Sequence, residues 1–125
     1  MNKIALNKAT CELIEDRIIN IVVKDNVEIE VEDVLDIRKT NERLSKNENY
    51  LVVLESGFHS SITREARELS AKKEYGEQRK AMAFVITSLA QRIIGNFFIN
   101  INKPPTPTKI FNSREEALVW VKKFR

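Results

Sequence analysis

The stretch over residues 80–125 constrains the fold more than any other part of this sequence. An apolar run at residues 80–86 is typical of a strand that is covered on both faces. Thr87 or Ser88 is a suitable N-cap for the apolar helix that follows. Residues 103–108 then form a stiff link, because proline fixes φ and cannot continue a helix. This alternation of strand and helix predicts an α/β fold.

The same stretch closes with a short strand at residues 109–111 and a capped helix. Ser113 and Glu116 have the spacing of a capping box, in which each side chain bonds the other residue's backbone N–H. Further upstream, helical spacing of apolar residues predicts a helix over residues 31–46. An apolar run at residues 50–54 predicts another buried strand.

Residues 8–24 hold two runs rich in β-branched residues on either side of Glu15-Asp16-Arg17, which predicts a β-hairpin. Thr63 is a plausible N-cap for a helix that extends to about Tyr75, and Gly76 is expected to end it. The element order β-β-α-β-α-β-α-β-α predicts a mixed, mainly parallel sheet with helices packed on it. We expect one domain over residues 1–125, with residues 1–7 loosely ordered.

Composition excludes several classes of function. One cysteine, Cys11, and one histidine, His59, leave no set of ligands for a cysteine- or histidine-based metal site. The sequence has no Gly-rich phosphate loop or dinucleotide fingerprint, so we expect no cofactor. It has no apolar run of 18 residues and no signal-peptide core, so we expect no transmembrane segment and a cytoplasmic location.

The charge pattern disfavours a nucleic-acid partner. The net charge of +3 comes from 21 basic and 18 acidic residues of mixed order. The basic residues between Arg64 and Lys80, including Arg67 and Arg79, alternate with glutamates. We interpret this segment as a solvated face, because a nucleic-acid footprint clusters unopposed positive charge.

Two segments carry a resemblance to a known family. Residues 62–76, ITREARELSAKKEYG, and residues 93–124, IIGNFFININKPPTPTKIFNSREEALVWVKKF, resemble the SpoIIAA-like family of small bacterial proteins. The resemblance covers almost the whole chain and implies the STAS fold of the anti-sigma-factor antagonists. It also implies a regulatory or protein-interaction role. The lipid-carrying CRAL-TRIO fold is similar in shape, but 125 residues leave little room for its cavity.

The resemblance singles out two serines. Anti-sigma-factor antagonists carry Asp-Ser-Ser-Gly-Leu, with a phosphorylated serine at the start of a helix. This chain has Gly57-Phe58-His59-Ser60-Ser61-Ile62-Thr63 in the comparable place, which keeps the serine pair but not the flanking residues. The resemblance therefore makes Ser60 and Ser61 candidate phosphoacceptors. The alternative is ordinary turn and cap chemistry of hydroxyl side chains.

The helix over residues 88–101 is apolar around about half of its circumference, whereas one packing face needs an arc of about 100°. The surplus predicts a surface for a protein partner, a second subunit or a small apolar ligand, unless neighbouring elements cover it. Gly95 costs the helix about 1 kcal/mol relative to Ala, so we expect a close backbone approach by another element or helix fraying. The candidate surface consists of Ile94, Phe97, Phe98, Pro104 and Pro105.

A second candidate site lies at the carboxyl ends of the predicted parallel strands, where open α/β sheets bind ligands. Its residues are Glu55, Ser56, Thr87 and Ser88. A pocket at this rim would favour a carrier of a small apolar ligand. His59 lies near two serines, but the sequence has no nucleophile-elbow motif, so we do not expect an enzyme. The sequence favours a regulatory or protein-interaction module, with a homodimer as one form, and leaves the ligand carrier as the alternative.

Overall fold

A six-stranded mixed sheet forms the centre of the structure, a computed structural model that describes residues 2–15 and 17–125. The strands are β1 (Lys3–Ala5), β2 (Ala9–Glu15), β3 (Ile18–Val23), β4 (Glu28–Ile29), β5 (Tyr50–Glu55), β6 (Ser61–Ile62), β7 (Arg79–Val85) and β8 (Thr108–Phe111). The helices are α1 (Val31–Leu44), α2 (Arg64–Ser70), α3 (Leu89–Phe97) and α4 (Arg114–Val121). None of the helices in the described ranges is long and apolar enough to cross a membrane.

The strand order in the large sheet is β1-β2-β3-β5-β7-β8. The first three strands pair antiparallel, and β3, β5, β7 and β8 pair parallel. Strands β4 and β6 form a separate two-stranded parallel ribbon. The structure therefore confirms a mixed, mainly parallel sheet with an N-terminal hairpin. Asp16, which the sequence places in the turn of that hairpin, lies outside the described residues.

The N-terminal segment differs from the expectation of loose order over residues 1–7. Lys3–Ala5 forms an edge strand in register with β2, with Ile4 opposite Cys11. The pairing is extended by a hydrogen bond of 2.7 Å from the Leu13 N–H to the Asn2 carbonyl. A strand of only three residues carries too short an alternation to be recognised from sequence.

Alternate residues of the central strands face two separate layers. One face packs beneath α4, where Ala117 and Val121 are fully buried with Val53. The other face, which we call the cavity face, lies beneath α1, α2 and α3 and contains Val52 and Met82. A three-layer α/β/α arrangement results, with β5 and β7 covered on both sides, as their apolar sequences predict.

The helix termini follow the predicted capping residues. Thr63 Oγ1 accepts a hydrogen bond from the Ala66 N–H, Ser88 caps α3, and Ser113 accepts from the Glu116 N–H. Helix α2 ends at Ser70 rather than near Tyr75, because the backbone becomes extended before a 3₁₀ turn at Lys73–Gly76. This break turns the side chain of Tyr75 into the core.

Two packing contacts position the C-terminal half of the cavity face. A Cβ on Gly95 of α3 would lie 2.8 Å from Ile110 Cδ1, so the close approach at this glycine is made by a side chain of β8 and not by the predicted backbone. After Phe97 the helix continues as a π-helical turn, Phe98–Asn102, which ends where Lys103 adopts a left-handed conformation. Pro105 then packs against Gly76, where a Cβ would lie 2.9 Å from the proline ring.

Candidate ligand cavity

A cavity of about 270 Å³ lies between the cavity face of the sheet and helices α1, α2 and α3. Its floor is formed by Val52 and Leu54 of β5 and by Met82 and Phe84 of β7. Phe98, from the turn after α3, lines it from the helical side. Most of the lining is apolar, so the cavity favours ligands that bury apolar surface.

The cavity is elongated along the strands. The lining includes alternate residues of β5 from Tyr50 to Leu54 and continues to Ser56. A strand rises about 3.3 Å per residue, so this part of the wall is about 20 Å long. An extended chain therefore fits the shape better than a round ligand does.

One end of the cavity is polar and buried. Tyr50 and Arg79 are paired in register at the amino ends of β5 and β7, and both line the cavity. Arg79 is only 6% exposed. Its Nη1 donates to Ser70 Oγ at 3.0 Å, and its Nη2 donates to the Ser70 carbonyl oxygen at 2.7 Å. We call the group of Asn41, Tyr50, Tyr75 and Arg79 the polar end.

The charge of Arg79 has no carboxylate partner in the described part of the chain. Burial lowers the pKa of its guanidinium to about 10, so the group is still a cation at neutral pH. Burial also raises the pKa of Tyr50, while the charge of Arg79 and a hydrogen bond with Asn41 act in the opposite direction. The polar end is therefore a buried, positively charged environment.

Three buried polar atoms at this end have no hydrogen-bond partner among the described residues. They are Nε of Arg79, the hydroxyl oxygen of Tyr75 and Oδ1 of Asn41. Each of these residues lines the cavity, and none is more than 6% exposed. Buried polar groups are normally paired, so three unpaired atoms in one wall indicate a position for polar atoms of a ligand.

The opposite end is closed by hydrogen bonds between α3 and the loop after β5. Gln91 Nε2 donates to the Gly57 carbonyl oxygen at 2.8 Å and to the Ser60 carbonyl oxygen at 3.0 Å. Ser56, Ser60 and Gln91 all line this end. The cavity thus has one charged end and one end formed by neutral polar groups.

The two candidate phosphoacceptors lie in different environments. The Ser60 hydroxyl donates to the Gly57 carbonyl oxygen at 2.8 Å and accepts from Gln91 Nε2 at 3.2 Å. Ser61 is exposed in β6, and its N–H donates to the Val27 carbonyl oxygen at 2.9 Å. Neither serine caps α2, because Thr63 does so. Their role as phosphoacceptors stays a prediction.

The structure divides the candidate surface of α3 and the proline link. Phe98 is 5% exposed and packs against Phe84 at a centroid distance of 5.8 Å, so it belongs to the cavity wall and not to an exposed partner surface. Ile94 also lines the cavity but is partly exposed. Phe97 is exposed, Pro104 is half-buried, and Pro105 packs against the turn before β7.

The exposed apolar residues of α3 form a stripe at intervals of four, which we call the α3 stripe. Its members are Leu89, Ile93, Phe97 and Ile101, with exposed fractions of 73%, 59%, 45% and 62%. Periodicity showed that this helix has more apolar surface than one face needs. Periodicity does not show which part of the helix faces the sheet. The predicted surface therefore includes Phe98, which is buried.

The strand-end rim contributes only one residue to the cavity. Ser56 is part of the lining. The carboxylate of Glu55 instead pairs with Nε of Arg114, at 3.7 Å. Thr87 is exposed, and Ser88 caps α3. The cavity follows one face of the sheet and reaches the carboxyl ends of β5 and β7 only at Ser56 and Ile86. Helices α1 to α3 stand far enough from the sheet to leave this space.

Arg79 was missed by the sequence analysis. Its place among alternating charges suggested a solvated residue, but it is the first residue of β7 and is buried. The signal in the sequence that could have indicated its burial is its position directly before an apolar strand. Tyr75 and Asn41 carry no signal of their own, because each depends on how a helix or turn is oriented.

His59 lies in the loop between β5 and β6. His59 is exposed, has a left-handed φ of 58° and packs edge-on against Phe58 at 4.0 Å. It makes no hydrogen bond to a serine in the described ranges. No group of three or more His, Cys, Asp or Glu side chains that could hold a metal ion occurs among residues 2–15 and 17–125.

Comparisons with known proteins identify a fold and a family. The family model described as Domain of unknown function (DUF7793) matches residues 13–125. The structure is similar to that of an uncharacterised protein from the DUF3478 family with a SpoIIAA-like fold, from Shewanella loihica PV-4. The TM-score is 0.63 at 14% identity, over 94% of this chain and 98% of that chain. This likeness confirms the predicted SpoIIAA-like fold and shows the fold alone. No curated protein matches the chain.

Proposed function

The chain belongs to the DUF7793 family of domains of unknown function, and we propose that it binds a small apolar ligand in the cavity between the sheet and helices α1 to α3. The observation that carries the proposal is the cavity of about 270 Å³ with its largely apolar wall. This volume lies just below the usual range for small-molecule sites, about 300–1,000 Å³, so the ligand is small. We propose binding without catalysis, and a cytoplasmic location stays a prediction.

The cavity supports binding because buried apolar side chains surround a space that the protein itself does not fill. Val52, Met82 and Phe98 are each at most 5% exposed and line a common space. Protein interiors are normally packed without voids of this size. A ligand that fills the space regains the dispersion contacts that the lining side chains otherwise lack.

A pair of valine substitutions tests this proposal. Val52→Phe places a larger side chain in the cavity floor, where Val52 is fully buried. Val22→Phe makes the same change on β3 at a position that is 42% exposed and does not line the cavity. Both proteins would be titrated with the neutral fluorescent probe N-phenyl-1-naphthylamine, after their folding is checked by circular dichroism.

We expect the wild-type protein and Val22→Phe to bind the probe with the same affinity and Val52→Phe to bind it at least about tenfold more weakly. Equal affinity of both variants would place the probe elsewhere on the protein. Native mass spectrometry beside denaturing mass spectrometry, on protein from its own host, would then identify a bound ligand by its mass. Absence of probe binding by the wild-type protein would overturn the proposal.

A second candidate is a protein-interaction or regulatory module that forms a homodimer, and the α3 stripe favours it. The stripe is contiguous and apolar, which is uncommon for an unpartnered surface. A two-fold dimer buries the same patch of both copies, so one apolar helix face can pair with itself. In this role the phosphorylation of Ser60 or Ser61 would control binding.

The oligomeric state tests the second candidate. Ile93→Lys introduces a charge into the α3 stripe, and Leu35→Lys makes a matched change at an exposed position of α1, where Leu35 is 49% exposed. Light scattering after size exclusion should give a dimer for the wild type and Leu35→Lys, and a monomer for Ile93→Lys. A monomeric wild type at every concentration would exclude the homodimer.

A further inference from the structure

We propose that the ligand is a linear aliphatic monocarboxylate of medium chain length, with its carboxylate at the polar end and its chain along β5. This inference rests on the proposed function, because it names the chemical class that the cavity takes. The polar end supplies the head-group site and the apolar wall supplies the site for the chain.

A buried cation without a counter-ion is the first reason for an anionic head group. Arg79 is 6% exposed, and its two terminal nitrogens are held by Ser70, a neutral residue. Its Nε has no partner within the described ranges. Removing a charge from water is costly unless an opposite charge or several hydrogen bonds compensate it. A bound carboxylate would provide both.

The charge at this end favours a monoanion. Arg38 is the other cation at this end, and it lines the cavity beside Tyr75. Its Nε lies 3.3 Å from a carboxylate oxygen of Glu42, and its Nη2 donates to the Glu74 carbonyl oxygen at 3.2 Å. Arg67 also lines the cavity, but it is partly exposed and its Nη1 donates to the Ile62 carbonyl oxygen at 3.0 Å. Since Arg38 is already neutralised, Arg79 is the one buried cation in the described cavity wall without a carboxylate partner, and a dianionic phosphate would be undercompensated.

Tyr75 supplies the second donor. Its hydroxyl has no partner in the described part of the chain, and the Arg79 guanidinium carbon lies 5.5 Å from its ring centroid. A guanidinium N–H and a phenol O–H are both donors, and an ionised carboxylate accepts through two oxygens. The unpaired Oδ1 of Asn41 is an acceptor, so it can accept a hydrogen bond from a water molecule but cannot bond the anion. Exchanging the oxygen and nitrogen of this amide would place a donor at the same position.

The chain direction follows from the wall beyond the head group. From Tyr50 the lining continues along β5 through Val52 and Leu54 and reaches Ser56 just after the strand, about 20 Å from Tyr50. The side chains on this path are apolar, so each methylene group of an extended chain would lie against apolar surface. The end near Gln91 is closed by hydrogen bonds, which limits the length of the chain.

Decanoate and decanol test the inference, because they share a chain and differ in the charge of the head group. Their affinities would be measured by displacement of N-phenyl-1-naphthylamine from the wild type, Arg79→Met, Tyr75→Phe and Arg64→Met. Arg64 is the matched control, since it is also an arginine but is exposed on α2 and does not line the cavity.

We expect the wild type to bind decanoate at least about tenfold more tightly than decanol, since hydrogen bonds to charged groups contribute more than neutral ones. The preference for decanoate over decanol should fall to within about twofold in Arg79→Met and by about threefold in Tyr75→Phe, and it should be unchanged in Arg64→Met. If Arg79→Met fails to fold, Tyr75→Phe carries the test, because it removes only an unpaired hydroxyl.

Two results would overturn the inference and leave the proposed function intact. One is equal affinity of the wild type for decanoate and decanol while the neutral probe still binds. The other is a preference that is kept in Arg79→Met or lost in Arg64→Met. Failure of the wild type to bind the neutral probe would overturn the proposed function itself.

Discussion

The side-chain amide of Gln91 donates to both the carbonyl oxygen and the hydroxyl oxygen of Ser60, at 3.0 Å and 3.2 Å. These bonds fasten α3 to the loop that follows β5. Since both residues line the cavity, the same contact also closes its end opposite Arg79. A change at Ser60 is therefore expected to reach the ligand site through α3.

The first prediction concerns phosphorylation at this contact. Ser60→Glu should lower the free energy of unfolding by about 1–3 kcal/mol, because it removes a partly buried hydroxyl with two partners. Ser61→Glu is the control, and at this exposed position the change should stay within about 0.5 kcal/mol. Urea denaturation measures both values.

The same variants test the phosphorylation switch. If phosphorylation regulates the protein, Ser60→Glu should also weaken binding of the neutral probe, whereas Ser61→Glu should leave it unchanged. Equal stability and equal binding of the two variants would remove the structural basis for a switch at Ser60. Phosphorylated protein with unchanged binding of its partners would exclude the switch altogether.

The second prediction contrasts two glycines. A Cβ on Gly57 would lie 2.2 Å from the Lys24 carbonyl oxygen and 2.4 Å from that of Val23, so backbone atoms would have to move. Gly57→Ala should therefore destabilise the fold by at least about 3 kcal/mol, the upper range for overpacking. Thermal and urea denaturation would both measure this loss.

Gly95→Ala is the matched control for that change. Its Cβ would approach Ile110 Cδ1, the end of a side chain that can rotate away, and alanine gains about 1 kcal/mol of helix propensity. The net change at Gly95 should be small. A loss at Gly95 as large as that at Gly57 would show that the helix-to-strand contact is rigid.

The sequence predicted the large elements because their signals are local. The apolar runs of β5 and β7, the hairpin, and the caps at Thr63 and Ser113 all appear where the patterns place them. The short strands β1 and β6 were missed, since two or three residues carry no usable periodicity. Local patterns are therefore sufficient to predict the fold class, but they are insufficient to predict the shortest strands.

The cavity could not be predicted for a different reason. Whether Phe98 fills the core or faces solvent depends on the rotation of α3, which the Gly95 and Ile110 contact sets. Whether Arg79 is solvated depends on Ser70 and Tyr75, which come from other elements. Such tertiary relationships leave no trace in composition or spacing. The sequence therefore leaves the burial of Phe98 open and wrongly favours a solvated Arg79.

The third prediction concerns an ion cluster that joins the hairpin to α1. Lys8 Nζ lies 2.9 Å from carboxylate oxygens of both Glu30 and Asp33, and these contacts raise the pKa of Lys8. Asp33 also accepts from the Glu30 N–H in the capping box of α1. Lys8→Met should therefore lower the melting temperature, and the difference from wild type should shrink in 1 M salt because salt screens charge pairs.

Arg64→Met is the control for the ion cluster. Arg64 pairs with Glu68 at 3.2 Å, but both side chains are more than half exposed. Exposed ion pairs of this kind contribute little to stability, so Arg64→Met should have the same melting temperature as the wild type. Equal melting temperatures for Lys8→Met and Arg64→Met would show that the cluster adds nothing to the attachment of α1.

The last prediction uses the thiol of Cys11, which is fully buried in β2 opposite Ile21. Burial raises the pKa of Cys11 from 9.0 to about 12. At pH 8 the native thiol should therefore not react with Ellman's reagent, and the reaction should become fast in denaturant. Rapid modification of the native protein would show that the N-terminal edge of the sheet opens locally.

The same shift gives a pH dependence of stability with a definite sign. Between pH 9 and about pH 12 the folded thiol keeps its proton while the unfolded thiol loses it. The folded state binds more protons in this window, so the free energy of unfolding should fall as the pH rises. Cys11→Ala should lack this component, and the difference between the two pH profiles isolates it from Tyr50 and Arg79. Parallel profiles would contradict the burial of the thiol.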